Sequence, residues 1–164
     1  LSGIVTVEDH VAVNYLRSRT DLCNGWIGCA GLSGGGLRSA LLRATCDTIK
    51  AAVIVGMMST YAGLLDRHLI MHTWMLYPPA LARHHDWPGV VARNFQVPAL
   101  VQYDEDDPLF SPEGMHDADA HIRTAFAKAG VPDNYQGQFY PGPHKFDVPM
   151  QDDAIAWLRE KSMV

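Results

Sequence analysis

The sequence is poor in cysteine. It has three cysteines among 164 residues, Cys23, Cys29 and Cys46, and their odd number and wide spacing match no metal-binding motif. We therefore predict free thiols with a structural role, and we expect neither a metal site nor an organic cofactor.

Basic clusters and long apolar runs are also absent from the sequence. The 13 basic and 18 acidic residues give a net charge of −5 without any Lys/Arg cluster, so we expect no nucleic acid or membrane partner. No apolar run reaches the roughly 18 residues of a membrane span. Residues 1–10 lack both Met and the basic start of a signal peptide, which predicts a processed, tagged or truncated chain. The compartment stays open, with the cytoplasm slightly favoured.

What the sequence does contain is an alternation of apolar runs and amphipathic segments. Four strands are predicted, at 26–32, 49–56, 98–104 and 134–141, the last being the least apolar and nearest an edge. Helices are predicted at 6–19, around 37–44, at 111–130 and at 147–161. Residues 57–96 are rich in Met, His, Trp and Pro, and predict an irregular excursion of short helices. This order predicts one α/β domain over residues 1–164, a parallel sheet covered by helices.

The first and last predicted helices each carry an apolar stripe that we expect to face the core. In the helix at 6–19, Thr6 and Asp9 resemble a capping box at the start. Its stripe comprises Val7, Val11, Ala12, Tyr15 and Leu16. The stripe of the last helix comprises Met150, Ala154, Trp157 and Leu158.

A serine stands among glycines between the first predicted strand and the next helix. The stretch 31–35, GLSGG, fits the pattern G-x-S-x-G in the strand-to-helix context that makes this motif informative. We expect a sharp turn that strains the backbone of Ser33 and exposes its hydroxyl. Glycines flank it because side chains at those positions would collide with neighbouring elements. The Gly34 N–H is then placed to bind an oxyanion. The alternative is a connecting turn in which Ser33 merely caps the helix.

A serine nucleophile needs a base and an acid that orients the base, in the chain order Ser, Asp or Glu, His. His144 follows the fourth predicted strand in the loop PGPHKF, which suits the base. Four acids follow the third strand in YDEDDPLF, and we favour Asp107 as the orienting acid. The other three, Asp104, Glu105 and Asp106, are expected to be solvated or to cap a turn.

These segments resemble the α/β-hydrolase superfamily, and most of all bacterial esterases of the dienelactone-hydrolase and acetyl-xylan-esterase type. The likeness is carried by IGCAGLSGGG, PALVQYDEDDPLFSPEGM and FYPGPHKFDVPMQDDAIAWL. It implies Ser33 as nucleophile, Asp107 as acid and His144 as base. Dienelactone hydrolases proper carry cysteine where this chain has Ser33, which favours ordinary ester hydrolysis.

The larger departure lies at the front of the chain. Members of this superfamily begin with further strands, which also bring a second oxyanion donor, so we expect a truncated fold of about four parallel strands. Its first strand would then be an unpaired apolar edge. Three outcomes stay open: a homodimer, association with a missing N-terminal segment, or cover from the excursion at 57–96.

The function predicted from these residues is a serine esterase that cleaves small, short-acyl esters through an acyl-enzyme. We expect the substrate pocket to be lined by Leu32, Met57, Met58, Tyr61, His72, Trp74 and Trp87. Two alternatives remain. One is a peptidase or amidase of the prolyl-oligopeptidase kind, and the other is a non-catalytic hydrolase-fold fragment that binds a partner.

Overall fold

Four apolar runs of the sequence form one parallel sheet in the computed structural model, which describes residues 2–22 and 25–163. The strands are β1 (Ile27–Leu32), β2 (Ile49–Val55), β3 (Ala99–Asp104) and β4 (Tyr135–Tyr140), in the order β1-β2-β3-β4. The register pairs Leu32 with Val55 and Asp104 with Tyr140. The carboxyl ends of all four strands therefore lie at one edge of the sheet, as the predicted fold class requires.

Helices cover both faces of this sheet. They are α1 (Ser2–Ser18), α2 (Gly34–Thr45), α3 (Tyr61–Leu64), α4 (Leu81–His84), α5 (Trp87–Val91), α6 (Pro112–Lys128) and α7 (Val148–Ser162). Single 3-10 turns occur at Leu69–Met71, Trp74–Leu76 and Pro132–Asn134. None of the helices in the described part of the chain is long and apolar enough to cross a membrane.

The core is divided by the sheet, because successive residues of a strand point to opposite faces. Ile54 and Val101 pack in the larger cluster, together with residues of α2, α5 and α6. Val53 and Leu100 pack on the opposite face against the α7 stripe, whose members Met150, Ala154 and Trp157 are buried. The predicted role of that stripe is confirmed.

The helix predicted at 6–19 is present as α1, but its predicted start and its predicted core stripe are wrong. Helix α1 begins at Ser2, so Thr6 and Asp9 lie inside it rather than at its start. Its predicted core stripe faces outward: Val7 is 62% exposed, Val11 61% and Tyr15 58%, and Ala12 and Leu16 are also exposed. The helix packs on α2 through another face, where Val13 is buried and Asp9 pairs with Arg38.

The excursion consists of short helices, as predicted, and one carboxylate organises it. Asp86 accepts hydrogen bonds from the backbone N–H of Trp87 at 2.7 Å and of Tyr61 at 3.0 Å. The Leu76 carbonyl accepts from the Trp87 indole and the Tyr61 hydroxyl, both at 3.0 Å. These bonds tie α3, α5 and the turn at Trp74–Leu76 into one unit.

The described cysteines are free thiols, as predicted. Cys46 is buried, and burial raises the pKa of the partly buried Cys29 thiol to about 11. Such a thiol is protonated at neutral pH and is a weak nucleophile. Cys23 lies outside the described residues.

Candidate active site

Ser33 occupies a strained turn between β1 and α2. Its backbone angles are φ 56° and ψ −117°, a region that L-residues rarely adopt and that costs about 1–3 kcal/mol. Its N–H donates to the Val55 carbonyl at 2.8 Å, which ties the turn to the end of β2. Its side chain makes no capping hydrogen bond to α2. Ser33 is half-buried on a sharp turn, and its hydroxyl does not cap the helix.

Glycines make this turn possible, although not all in the way expected. A Cβ on Gly31 would lie 2.3 Å from the Gly35 carbonyl carbon, so only glycine fits there. At Gly35 nothing lies within 4 Å of an added Cβ, which corrects the expectation that both motif glycines are crowded. The second crowded position is Gly36, where a Cβ would lie 2.8 Å from the Val55 carbonyl oxygen.

The Gly34 N–H belongs to the first turn of α2. Backbone N–H groups in the first turn of a helix have no carbonyl four residues earlier within the helix to bond. Gly34 also lines the cavity beside Ser33. An N–H with these properties can bind a negatively charged oxygen, and the oxyanion role of Gly34 stays a prediction.

The loops after β3 and β4 bring an acid and a histidine together. His144 Nδ1 lies 2.6 Å from Asp107 Oδ2, and Asp107 is 4% exposed. The other oxygen of Asp107 accepts from the Leu109 N–H at 2.9 Å. A carboxylate with both oxygens bonded is fixed in orientation, and it fixes the imidazole in turn.

The imidazole of His144 rests on Gly56, the residue after β2. Gly56 has φ 56°, and an added Cβ would lie 3.0 Å from His144 Cε1 and from a Leu32 methyl carbon. Sequence reasoning missed this residue, although a glycine directly after a buried strand is a signal of close approach. Gly56 and the strand register place His144 at the same sheet edge as Ser33.

The two loops are joined by further hydrogen bonds that involve the other three acids. The backbone N–H groups of Glu105 and Asp106 donate to the carbonyls of Tyr140 and Gly142, at 2.8 and 3.1 Å. Asp106 also accepts from the Gly142 N–H at 2.9 Å. Glu105 and Asp106 are exposed, as expected, but Asp104 is fully buried. We refer to this set of contacts as the loop ladder.

A cavity of about 110 Å³ opens beside Ser33. Its wall is mostly apolar and comes from α2, the excursion and the loop after β3. The lining residues are Ser33, Gly34, Leu37, Met57, Met71, His72, Thr73, Met75, Leu76, Leu109 and Phe110. Of the predicted pocket residues, the structure brings Met57 and His72 here.

The other predicted pocket residues lie elsewhere. Met58 and Trp87 are buried in the core. Trp87 is fixed there because its indole N–H donates to the Leu76 carbonyl and its backbone N–H donates to the α5 cap residue. Tyr61 lines a separate groove with Tyr77 and Leu65, while Trp74 is 47% exposed and outside the cavity. Leu32 packs on the opposite face of the sheet, against the cluster of α7.

The lining residues that the sequence did not indicate have two origins. Leu109 and Phe110 follow Asp107 directly, so their proximity to the site could have been predicted from the sequence. Met71, Thr73 and Met75 come from one-turn elements whose direction no periodicity predicts.

His72 is held in the cavity wall by two contacts. Its Nε2 bonds the Leu109 carbonyl at 2.8 Å, and its ring packs against Phe110 at a tilt of 35° with centroids 4.7 Å apart. Burial lowers the pKa of His72, so its ring is neutral at neutral pH. A neutral imidazole fits a cavity that is otherwise apolar.

Within the described residues, one group of side chains has atoms close enough to bind a metal ion. Asp104, Asp107 and His144 each have one such atom, all within 4.8 Å of one another. The 2.6 Å between His144 and Asp107 is a hydrogen-bond distance. It is shorter than the roughly 3 Å that separates two ligands bound 2.0–2.2 Å from one ion. The present geometry is thus that of a hydrogen-bonded pair and not that of two ligands on one ion.

The chain is similar to known proteins at low sequence identity. The chain is 24% identical over 159 residues to "Putative hydrolase YtaP" of Bacillus subtilis, covering 96% of this chain and 53% of that protein. A glucuronoyl esterase from Solibacter usitatus superposes with a TM-score of 0.76 at 14% identity, covering 95% of this chain and 47% of the other. For Methylesterase BT1017 the TM-score is 0.73 at 18% identity, covering 96% and 34%. No protein-family model matches the sequence.

These likenesses confirm the predicted fold. The chain has four parallel strands flanked by helices, and it resembles esterases of the α/β-hydrolase type over nearly its whole length. It spans about half the length of YtaP and of the glucuronoyl esterase, and about a third of the methylesterase.

Proposed function

We propose that the chain carries the catalytic residues of a serine esterase that hydrolyses small esters of short-chain acids. The observation that carries the proposal is the pairing of two features at one sheet edge. One is Ser33, which has a strained backbone, makes no capping hydrogen bond and lies beside a cavity. The other is His144, which is hydrogen-bonded to buried Asp107 at 2.6 Å.

The hydrogen bond between His144 and Asp107 suggests the following reaction. His144 donates its Nδ1–H to Asp107, which leaves Nε2 able to take the proton of Ser33 Oγ as that oxygen attacks the ester carbonyl. The Gly34 N–H stabilises the oxyanion of the tetrahedral intermediate. His144 then gives the proton to the leaving alcohol, and an acyl group remains on Ser33. Water, deprotonated by the same imidazole, releases the acid and restores the serine.

The cavity supports the choice of substrate. Its volume of about 110 Å³ and its Met, Leu and Phe lining fit an uncharged acyl group of a few carbons. The solved structures that the chain resembles are named as esterases, which favours an ester over an amide as substrate.

The test is hydrolysis of p-nitrophenyl esters from acetate to octanoate by the purified chain, with its mass checked by light scattering. We expect turnover that is highest for the short acyl groups and lost in Ser33→Ala. The matched control is Ser162→Ala, since Ser162 is exposed on the last turn of α7. Comparison of an ester with the corresponding anilide separates the esterase from the amidase alternative.

A fluorophosphonate probe completes this test, because it reacts with an activated serine without turnover. We expect it to label Ser33 in a folded sample. A folded chain that neither turns over any ester nor reacts with the probe would contradict the proposal and favour a non-catalytic partner-binding module.

A further inference from the structure

Asp104 is a buried acid that the proposed reaction does not use. It is the last residue of β3, three positions before Asp107, and it is 0% exposed. Its Oδ2 accepts from the Lys145 N–H at 3.1 Å, so it bonds the residue that follows His144. One of its oxygens lies within 4.8 Å of both Asp107 and an imidazole nitrogen of His144.

This carboxyl is held in an unfavourable place. Its Oδ1 has no hydrogen-bond partner in the described part of the chain. Burial is the largest cause and raises the pKa of Asp104. The hydrogen bond from the Lys145 N–H opposes this, and the nearby Asp107 charge raises the pKa again, so the net direction is upward. An unsatisfied buried polar group destabilises the fold. Asparagine could accept the same Lys145 bond without a buried charge, so the loop geometry alone does not explain an acid here.

The charge has a use in the reaction. Before the proton is transferred, the neighbouring carboxyl groups of Asp104 and Asp107 repel each other. When His144 takes the Ser33 proton, the imidazolium lies beside two carboxylates instead of one. An interaction that is stronger in the transition state than in the ground state raises the rate.

We propose that Asp104 is a positioning residue, which anchors the His144 loop through Lys145 and stabilises the His144 imidazolium with its carboxylate. This role rests on the proposed function of the same site. The charged and titratable groups around Asp104 are Asp107 on its own loop, and His144 and Lys145 on the loop after β4. From the excursion, His72 faces the Asp107–His144 pair.

The decisive variant is Asp104→Asn, which keeps an oxygen for the Lys145 N–H and removes the charge. We expect kcat to fall about tenfold with KM nearly unchanged. The acid limb of the pH profile should move to lower pH, because a less stabilised imidazolium loses its proton more readily. The control is Glu105→Gln, which removes an equal charge from the exposed neighbouring side chain. It should move the limb much less, since exposed charges are screened.

Thermal unfolding separates this role from a merely structural one. The folded-state pKa of Asp104 lies above its unfolded value, so its ionisation destabilises the fold at neutral pH, and this cost disappears below the unfolded pKa. Asp104→Asn should therefore be at least as stable as the wild type at pH 7 while less active. Asp104→Ala should lose both activity and stability, because the Lys145 N–H loses its acceptor.

The outcomes distinguish this inference from the proposed function. Wild-type chain without turnover or probe labelling contradicts the proposed function. An active wild type, with an Asp104→Asn variant that matches it in kcat and acid limb, contradicts the role of Asp104 alone. The NMR titration of the His144 imidazole provides a readout without turnover: its midpoint should fall in Asp104→Asn more than in Glu105→Gln. Equal midpoints in the two variants would overturn the inference.

Discussion

Two regions of the molecule build the candidate site, and they are held by different forces. The loops after β3 and β4 carry Asp107 and His144, and the hydrogen bonds of the loop ladder fix them residue by residue. The excursion contributes the apolar cavity wall from one-turn helices, which are fixed by the Asp86 caps and by packing. Under the proposed function, the loops after β3 and β4 supply the groups that carry out the reaction, and the excursion limits which substrates fit. Substitutions in the two regions should therefore affect different kinetic parameters.

The largest effect is expected in the loop region, from Asp107→Asn. The amide keeps the shape of the side chain but can no longer accept the Nδ1–H with a full charge, so the imidazole loses its orientation. We expect kcat to fall by about 10³–10⁴-fold with KM little changed. Steady-state kinetics checks this, with Asp152→Asn on the exposed face of α7 as the control. A loss of less than about tenfold would mean that Asp107 is not the orienting acid.

A smaller but still large loss is expected when the support under His144 is changed. In Gly56→Ala the new Cβ would lie 3.0 Å from His144 Cε1, at a residue with φ 56°. We expect displacement of the imidazole and a kcat reduced about 10²-fold, since a 1 Å misplacement has effects of that size. The matched control is Gly130→Ala, which has φ 78° but open space around it. It should lose stability through backbone strain without losing activity, and equal activity losses in both variants would contradict this explanation.

In the excursion, substitution should change selectivity rather than chemistry. Met75 lines the cavity beside Gly34, and Met75→Phe would fill part of its roughly 110 Å³. We expect activity on butyrate and longer esters to fall about tenfold more than activity on acetate, mostly through KM. Met163→Phe is the control, because Met163 is 81% exposed after α7. An equal loss on all chain lengths would show that Met75 does not limit the acyl group.

The smallest effect is expected on helix α1, which lies outside both regions. Val7 and Val11 are exposed, so the double change to Ser should alter the free energy of unfolding by less than about 0.5 kcal/mol. Val13→Ser on the buried face should cost about 1–3 kcal/mol, because a hydroxyl replaces packed methyl groups. Chemical denaturation measures both. Equal losses would show that the stripe of Val7 and Val11 is covered in solution.

The contrast between the two regions also explains how far the sequence could be interpreted. Ser33, Asp107 and His144 follow strand ends, and parallel strands bring their carboxyl ends together. Chain order and turn residues were therefore enough to place all three at the same edge of the sheet. The same logic could not distinguish buried Asp104 from exposed Glu105, because both stand in one acidic run. Burial there depends on where the His144 loop folds back, and this is a tertiary contact.

Periodicity was informative about faces but not about what covers them. The stripes of α1 and α7 are equally clear in the sequence, yet only the α7 stripe meets the sheet. Trp87 and Met58 looked like pocket residues because the excursion is rich in large apolar side chains, and packing put them in the core instead. Met71 and Met75 lie in 3-10 turns that are too short to show a hydrophobic period. The sequence therefore could not predict that these side chains lie near Ser33.

The central claim is that Ser33 forms an acyl-enzyme, and mass spectrometry of the quenched reaction tests it most directly. The purified chain is mixed with p-nitrophenyl acetate, quenched in acid during the burst and digested. We predict one acetyl group on the peptide that contains Ser33, and none in the Ser33→Ala variant. Hydrolysis without any acylated Ser33 peptide, or with equal turnover in Ser33→Ala, would contradict the account.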